Sequence, residues 1–188
     1  MDHSAPNIAA ASAHAATLAP PTPLDFHVGD AESLAFLDSM FDVVICECAL
    51  CTFPDKAAAA TQFARVLRPG GRVGITDITA RPDRLPEELY GFAARIACIA
   101  DARPANEYAQ ILTDSGLHVH TIDSHDDALL RMIDQIAARL TAVKLIAADR
   151  ARELGIDFAQ APAVLQAARC AVQDKTLGYA LIVANKPD

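Results

Sequence analysis

Phe41 to Thr79 reads FDVVICECALCTFPDKAAAATQFARVLRPGGRVGITDIT, which is the pattern of a strand, a crossover helix and a second strand. Phe41 to Cys46 is a short apolar, β-branched run opened by Asp42, and Arg72 to Ile78 is another, preceded by the turn Pro69-Gly70-Gly71. Between them Asp55 is placed to cap a helix with Ala59, Ala60, Phe63, Val66 and Leu67 on one face and Arg65 and Arg68 near its end. Parallel neighbours need such a crossover, and its hand is nearly always right. The chain is therefore built on a parallel sheet. In open sheets of this kind ligands sit at the carboxyl ends of the strands, here around Cys46 to Phe53 and Asp77 to Arg81.

The remaining elements follow from periodicity and breakers. Asn7 to Leu18 predicts a helix ended by Pro20-Pro21-Thr22-Pro23, and Leu24 to Val28 a short strand running into Gly29-Asp30. Pro86 to Ala100 is expected as an amphipathic helix, with Pro86, Glu87 and Glu88 suiting its start. Ala105 to Ser115 predicts a helix capped by Gly116, followed by a strand over Leu117 to Ile122. A long helix from about Asp126 to Asp149, a shorter one near Ala163 to Gln173 and a closing strand over Leu177 to Ala184 complete the chain. About fifty residues separate the last two strands, which makes that segment a helical insertion rather than a hairpin loop.

The order Gly29-Asp30-Ala31-Glu32, Phe41-Asp42-Val43-Val44 and Arg65-Val66-Leu67-Arg68-Pro69-Gly70-Gly71 resembles the middle of a class I S-adenosylmethionine-dependent methyltransferase, in the type 11 branch that includes the arsenite methyltransferases. The resemblance runs from Met1 to about Pro187. It implies a Rossmann-like α/β fold whose sheet, in the family, has the strand order 3-2-1-4-5-7-6. Leu24 to Val28, Phe41 to Cys46 and Arg72 to Ile78 take the places of family strands 3, 4 and 5, and the last two strands those of 6 and 7. Strand 1, its helix and strand 2 have no counterpart, and among the eight glycines only Gly70 and Gly71 are adjacent, on the wrong side of a strand for a cofactor loop. The expected fold is thus an N-terminally truncated methyltransferase with a helical insertion between its last two strands. Met1-Asp2-His3-Ser4 resembles the end of family strand 2, so a truncated product or a miscalled start is the expectation. One domain over residues 1 to 188 is expected, with a cofactor side over 1 to 80 and a substrate side over 81 to 188.

The same resemblance assigns roles. Asp2 would accept from the ribose hydroxyls of S-adenosylmethionine, while Asp30 and the Ala31 backbone would take the adenine edge. Cys46 and Glu47, at the carboxyl end of their strand, fall beside the cofactor, and Asp77 ends the neighbouring strand in the same cleft. Cys98 and Cys170 stand where arsenite methyltransferases carry substrate-binding cysteines. Cys48 and Cys51 follow the first strand where an acceptor would lie, and thiolates suit a trivalent metalloid. Each cysteine is also readable as a small buried hydrophobe. C-x-C-x-x-C lacks a fourth zinc ligand, and His118, His120 and His125 lack a matched carboxylate, so no metal is expected.

Composition narrows the partners. With 52% hydrophobic and 21% charged residues the chain of 188 folds, and a net charge of -8 leaves no footprint for nucleic acid or an anionic membrane. No cationic leader or long apolar run marks a signal or a membrane span, and an odd five cysteines favour reduced thiols in a cytoplasmic setting. The favoured function is methyl transfer to a small-molecule acceptor, arsenite-like or otherwise thiophilic. The alternatives are an inactive remnant acting as an interaction module and a thiol-based metalloid binder. An unpaired edge beside Phe41 to Cys46 invites pairing with another chain, which makes a homodimer the form to look for.

Overall fold

The computed structural model describes residues 1–18, 23–90, 99, 101–146 and 161–188. Its frame is a four-stranded sheet of β1 (Phe41–Glu47), β2 (Leu67–Ala80), β3 (His118–Ser124) and β4 (Leu177–Asn185), in the order β1-β2-β4-β3. β1 and β2 are parallel and joined by α2 (Lys56–Val66), with Asp55 accepting from the Ala58 amide at its cap. β4 runs antiparallel to both β2 and β3. That order is the 4-5-7-6 half of the expected sheet, and the α/β Rossmann-like class holds.

β2 is longer than its apolar run because the Pro69-Gly70-Gly71 turn is absorbed into the ladder. Phe41 pairs with Leu67 but Val43 with Arg72, so Arg68 to Gly71 bulge out of register. Gly71 is required there, since a Cβ would stand 2.8 Å from the Arg68 carbonyl oxygen. Backbone bonds between Gly70, Gly71 and Lys186 tie the bulge to the end of β4.

Strand alternation sorts the two faces. Val44, Cys46, Val73, Ile75, Asp77, Ala180, Ile182 and Ala184 share one face through the register, and most of them are fully buried. α2 contributes Ala59, Ala60, Phe63 and Val66 to the core, and α3 (Ala105–Asp114) contributes Tyr108 and Leu112. Each large apolar side chain so buried stabilises the fold by ~1.5 to 3 kcal/mol. α4 (Asp126–Ile146) and α5 (Ala161–Gln173) form the insertion between β3 and β4, and they pack on each other and on β4.

One expectation is corrected, and another lies largely outside the described residues. Leu24 to Val28 is not a ladder strand: its only described pairing is a parallel bridge from Val28 to Asp2, because no continuous partner runs beside it. The helix expected over Pro86 to Ala100 begins instead as a 3-10 turn, Glu87–Leu89, and residues 91–98 and 100 lie outside the described residues. The first helix starts earlier than expected, as α1 (Ala5–Ala15), because the Ser4 hydroxyl accepts from the Asn7 amide and Pro6 fits the first turn. No described helix is long and apolar enough to cross a membrane.

Candidate functional site

A groove made of two adjoining cavities runs along β1 from Phe41 to Glu47 and on past its carboxyl end to Ala49 and Phe53. One, of about 590 Å³, is lined by Asp2, Ala31, Cys46 and Glu47 with Phe41, Val44 and Phe53 among its apolar walls. The other, of about 510 Å³, is lined by Asp2, Asp30, Ala31, Ala49, Phe53 and Pro54. All five residues expected on the cofactor side therefore border one groove. They come from three segments: the chain start, the turn at residues 29–32 and the end of β1.

Local bonding holds each in place. The Asp2 amide donates to the His27 carbonyl and its carbonyl accepts from Gly29, which lays Met1 to His3 beside the turn. Its carboxylate accepts from the Ser4 amide at 2.7 Å and the Asn7 side chain at 3.2 Å. Those bonds, the Ser4 amide first, hold the carboxyl below its ordinary pKa. Asp30 accepts from the Glu32 amide at 2.9 Å and, through its carbonyl, from Ser33. The turn is thus an Asx turn with a carboxylate at the groove.

A nucleoside sulfonium fits these residues in part. A carboxylate has about four acceptor sites, so Asp2 and Asp30 retain capacity beyond the bonds they make. Phe53 and Pro54 supply apolar walls for a flat base. Asp2, Asp25, Asp30, Glu32 and Glu47 line the two cavities and no Lys or Arg does, a balance that favours a cation. The same balance leaves no Lys or Arg side chain among the lining residues to pair with an amino-acid carboxylate.

The cysteines separate. Cys46 is buried, and desolvation, then the nearby Asp77 charge, push its thiol up to about 12. Cys51 is fully buried in the core and borders neither cavity. Cys48 is exposed at the end of β1 with φ 47, and its sulfur lies 3.4 Å from the Tyr179 hydroxyl. Cys170 is exposed on α5, where it accepts from Gln166, and borders neither cavity. Cys98 lies outside the described residues. No group of three His, Cys, Asp or Glu suited to a metal occurs among the described residues.

Asp77 is a structural carboxylate rather than a cleft group. It is 1% exposed, with one oxygen accepting from the Cys51 amide and the other from Ile78. Tyr179 went unassigned in the sequence, although alternation along Leu177 to Asn185 puts it on one face with Leu181 and Val183. Burial, followed by the Cys48 contact, pushes its phenol up to about 12.

Residues 1–75 match the family described as "Methyltransferase domain". Over 167 residues the chain is 30% identical to 27-O-demethylrifamycin SV methyltransferase of Amycolatopsis mediterranei, covering 87% of this chain and 59% of that protein. It is 29% identical over 131 residues to an arsenite methyltransferase of Halobacterium salinarum, covering 66% of this chain and 32% of the relative. Its fold matches geranyl diphosphate methyltransferase in complex with SAM at a TM-score of 0.74 and 16% identity, over 98% of this chain and 66% of that one. The chain thus spans less than two thirds of the length of these relatives.

Proposed function

The chain resembles the class I S-adenosylmethionine-dependent methyltransferases in sequence and shares their fold, and on that basis we propose that it takes part in methyl transfer to a small-molecule acceptor. The observation that carries this reading is the convergence of Asp2, Asp30, Ala31 and Glu47 on one acidic groove beside β1. In it Asp2 would hold the ribose and Asp30 with Ala31 the adenine edge of S-adenosylmethionine. When bound, that cofactor supplies an electrophilic methyl group. The chain's own contribution is orientation and the exclusion of water. Residues 1–80 form the cofactor side of this single domain and residues 81–188 the acceptor side. The test is the melting temperature with S-adenosylhomocysteine: a ligand at 100 times its Kd stabilises by ~2.7 kcal/mol, and Asp30→Ala should remove the rise.

A metalloid acceptor draws support from the arsenite methyltransferase among the relatives and from Cys48 at the end of β1. Loss of arsenite binding on replacing Cys48 and Cys170 by alanine would sustain it. An interaction module is the reading favoured by the open edge of β1, where Ile45 is 78% exposed.

A further inference from the structure

The 590 Å³ cavity is a slot between two stretches of backbone that run the same way. One wall is β1, which ends the sheet: β2 pairs with it on one side, and no strand among the described residues pairs with it on the other. The second wall is the segment from Asp25 to Ala31. At the amino end of β1 the rings of His27, Phe36 and Phe41 meet edge to face in succession, at 5.4 and 5.1 Å. Beyond its carboxyl end Asp30 and Ala31 share the smaller cavity with Ala49 and Phe53, and Glu32 accepts from the Asp55 amide at 2.9 Å. The chain from His27 to Glu32 therefore advances alongside β1 from start to finish. The bridge from Asp2 to Val28 in this wall is itself parallel, and Met1 and His3, on either side of Asp2, make no backbone hydrogen bond among the described residues.

The composition of β1 suits a neighbour in that slot. Parallel strands are covered on both faces and read as near-continuous apolar runs, and Val43, Val44, Ile45 and Cys46 are such a run. Cys46 is buried, but Val43 and Ile45 are exposed. Val44, Phe63 and Val66 line the core side of the slot. Asp25 stands toward its amino end and Glu47 at its carboxyl end, both exposed and neither in an ion pair among the described residues. No Lys or Arg lines it.

We propose that the slot receives a strand from another polypeptide, inserted parallel to β1 and carrying an apolar centre between basic ends. β1 is 7 residues long, ~23 Å at ~3.3 Å per residue, so an insert of that length pairs along all of it. Main-chain bonds to the open edge supply affinity, as in strand addition to other sheets. Val44, Phe63 and Val66 take the apolar side chains of one face, while Val43 and Ile45 continue the other. Lys or Arg at the two ends meets Asp25 and Glu47. A second copy of this chain is a poorer occupant, because its own open edge is β1, whose Asp42 and Glu47 repeat the sign of the slot, and like charges set opposite destabilise a strand pair. The inference is separate from the transferase reading, in which Asp2, Asp30 and Ala31 hold the cofactor, since none of those three is assigned to the strand.

The test is fluorescence anisotropy of the labelled peptide Lys-Lys-Val-Leu-Val-Ile-Val-Lys-Lys with the 188-residue chain, beside a version with glutamate ends and one with prolines in place of its leucine and isoleucine. The expected result is one-to-one binding that weakens at least tenfold with glutamate ends and is abolished by the prolines, which lack amide donors. Bound peptide should add hydrogen-exchange protection to the amides of β1, and the double variant Asp25→Asn/Glu47→Gln should bind the lysine-ended and glutamate-ended peptides alike. Excess peptide should also dissolve any self-association of the wild type, since both compete for one edge. Equal binding of the two peptides by the wild type, binding without new protection in β1, no saturable binding at millimolar concentration, or a self-associated wild type that the peptide leaves intact each overturns the inference. S-adenosylhomocysteine titrated into the same samples reads the transferase claim separately.

Discussion

The Cys51 amide donates to Asp77 Oδ2 at 2.9 Å, and both residues are buried. This bond ties the 3-10 turn after β1, Leu50–Thr52, to the carboxyl-terminal part of β2. Asp77→Ala leaves that amide unsatisfied in the core, and the cost of such a loss is ~1 to 3 kcal/mol. Chemical denaturation should show that drop, and Asp77→Asn, which keeps one acceptor oxygen, should lose less. Equal stability of wild type and Asp77→Ala would contradict the structural role.

Alkaline pH should destabilise the fold. The Cys46 thiol is pushed up to about 12 by burial, whereas a thiol in the unfolded chain titrates near ~8.5. The folded state therefore holds a proton that the unfolded state has released, so the stabilisation is full below ~8.5 and is lost as pH rises toward 12. Tyr179, also pushed up to about 12, adds to the fall above ~10. Urea unfolding measured from pH 7 to 10.5 should show stability flat and then declining, with a shallower decline between pH 9 and 10 in Cys46→Ala. A flat wild-type profile would refute this.

Arg65 organises one wall of the groove. Its guanidinium donates to the carbonyls of Leu34 and Phe36 at 2.8 Å, and to Asp38 at 2.7 Å. Leu34 and Phe36 line the 590 Å³ cavity. Lysine cannot reproduce the planar fork, so Arg65→Lys should lose ~1 to 2 kcal/mol of stability and weaken S-adenosylhomocysteine binding as well. Unchanged values of both would show that the loop holds its shape without the fork.

The open edge of β1 should be sticky. Val43 and Ile45 are 45% and 78% exposed on a strand that, among the described residues, has a ladder partner on one side, next to Met40 at 56%. Exposed apolar edges template association, and a lysine at such a position blunts it. Sedimentation velocity should show concentration-dependent association of the wild type and its suppression in Ile45→Lys. Wild type that stays monomeric at high concentration would remove the dimer from the account.

Much of the frame was legible because period and punctuation agreed. Asp55 before an alternating helix, Gly116 after another and β-branched runs at Phe41 and Arg72 each specify their element locally. The 4-5-7-6 order came through resemblance, since nothing local fixes where β4 lies. Leu24 to Val28 misled because a strand needs a ladder partner, which propensity does not reveal. Pro86-Glu87-Glu88 read as a helix start, and the described residues there form a 3-10 turn, Glu87–Leu89, packed through Leu89. Cys46 and Glu47 are singled out by position at a strand end, whereas Asp2, Asp30 and Ala31 are named through resemblance alone. The contact of Tyr179 with Cys48 was not legible, because 131 residues separate the two.

The central claim is that the acidic groove beside β1 binds the nucleoside cofactor of a methyltransferase. Calorimetric titration of the 188-residue chain with S-adenosylhomocysteine, alongside Asp30→Ala, tests it most directly. The account predicts saturable one-to-one binding that weakens at least tenfold in the variant. A folded wild type that takes up no S-adenosylhomocysteine, or a variant that binds it equally well, would contradict the account.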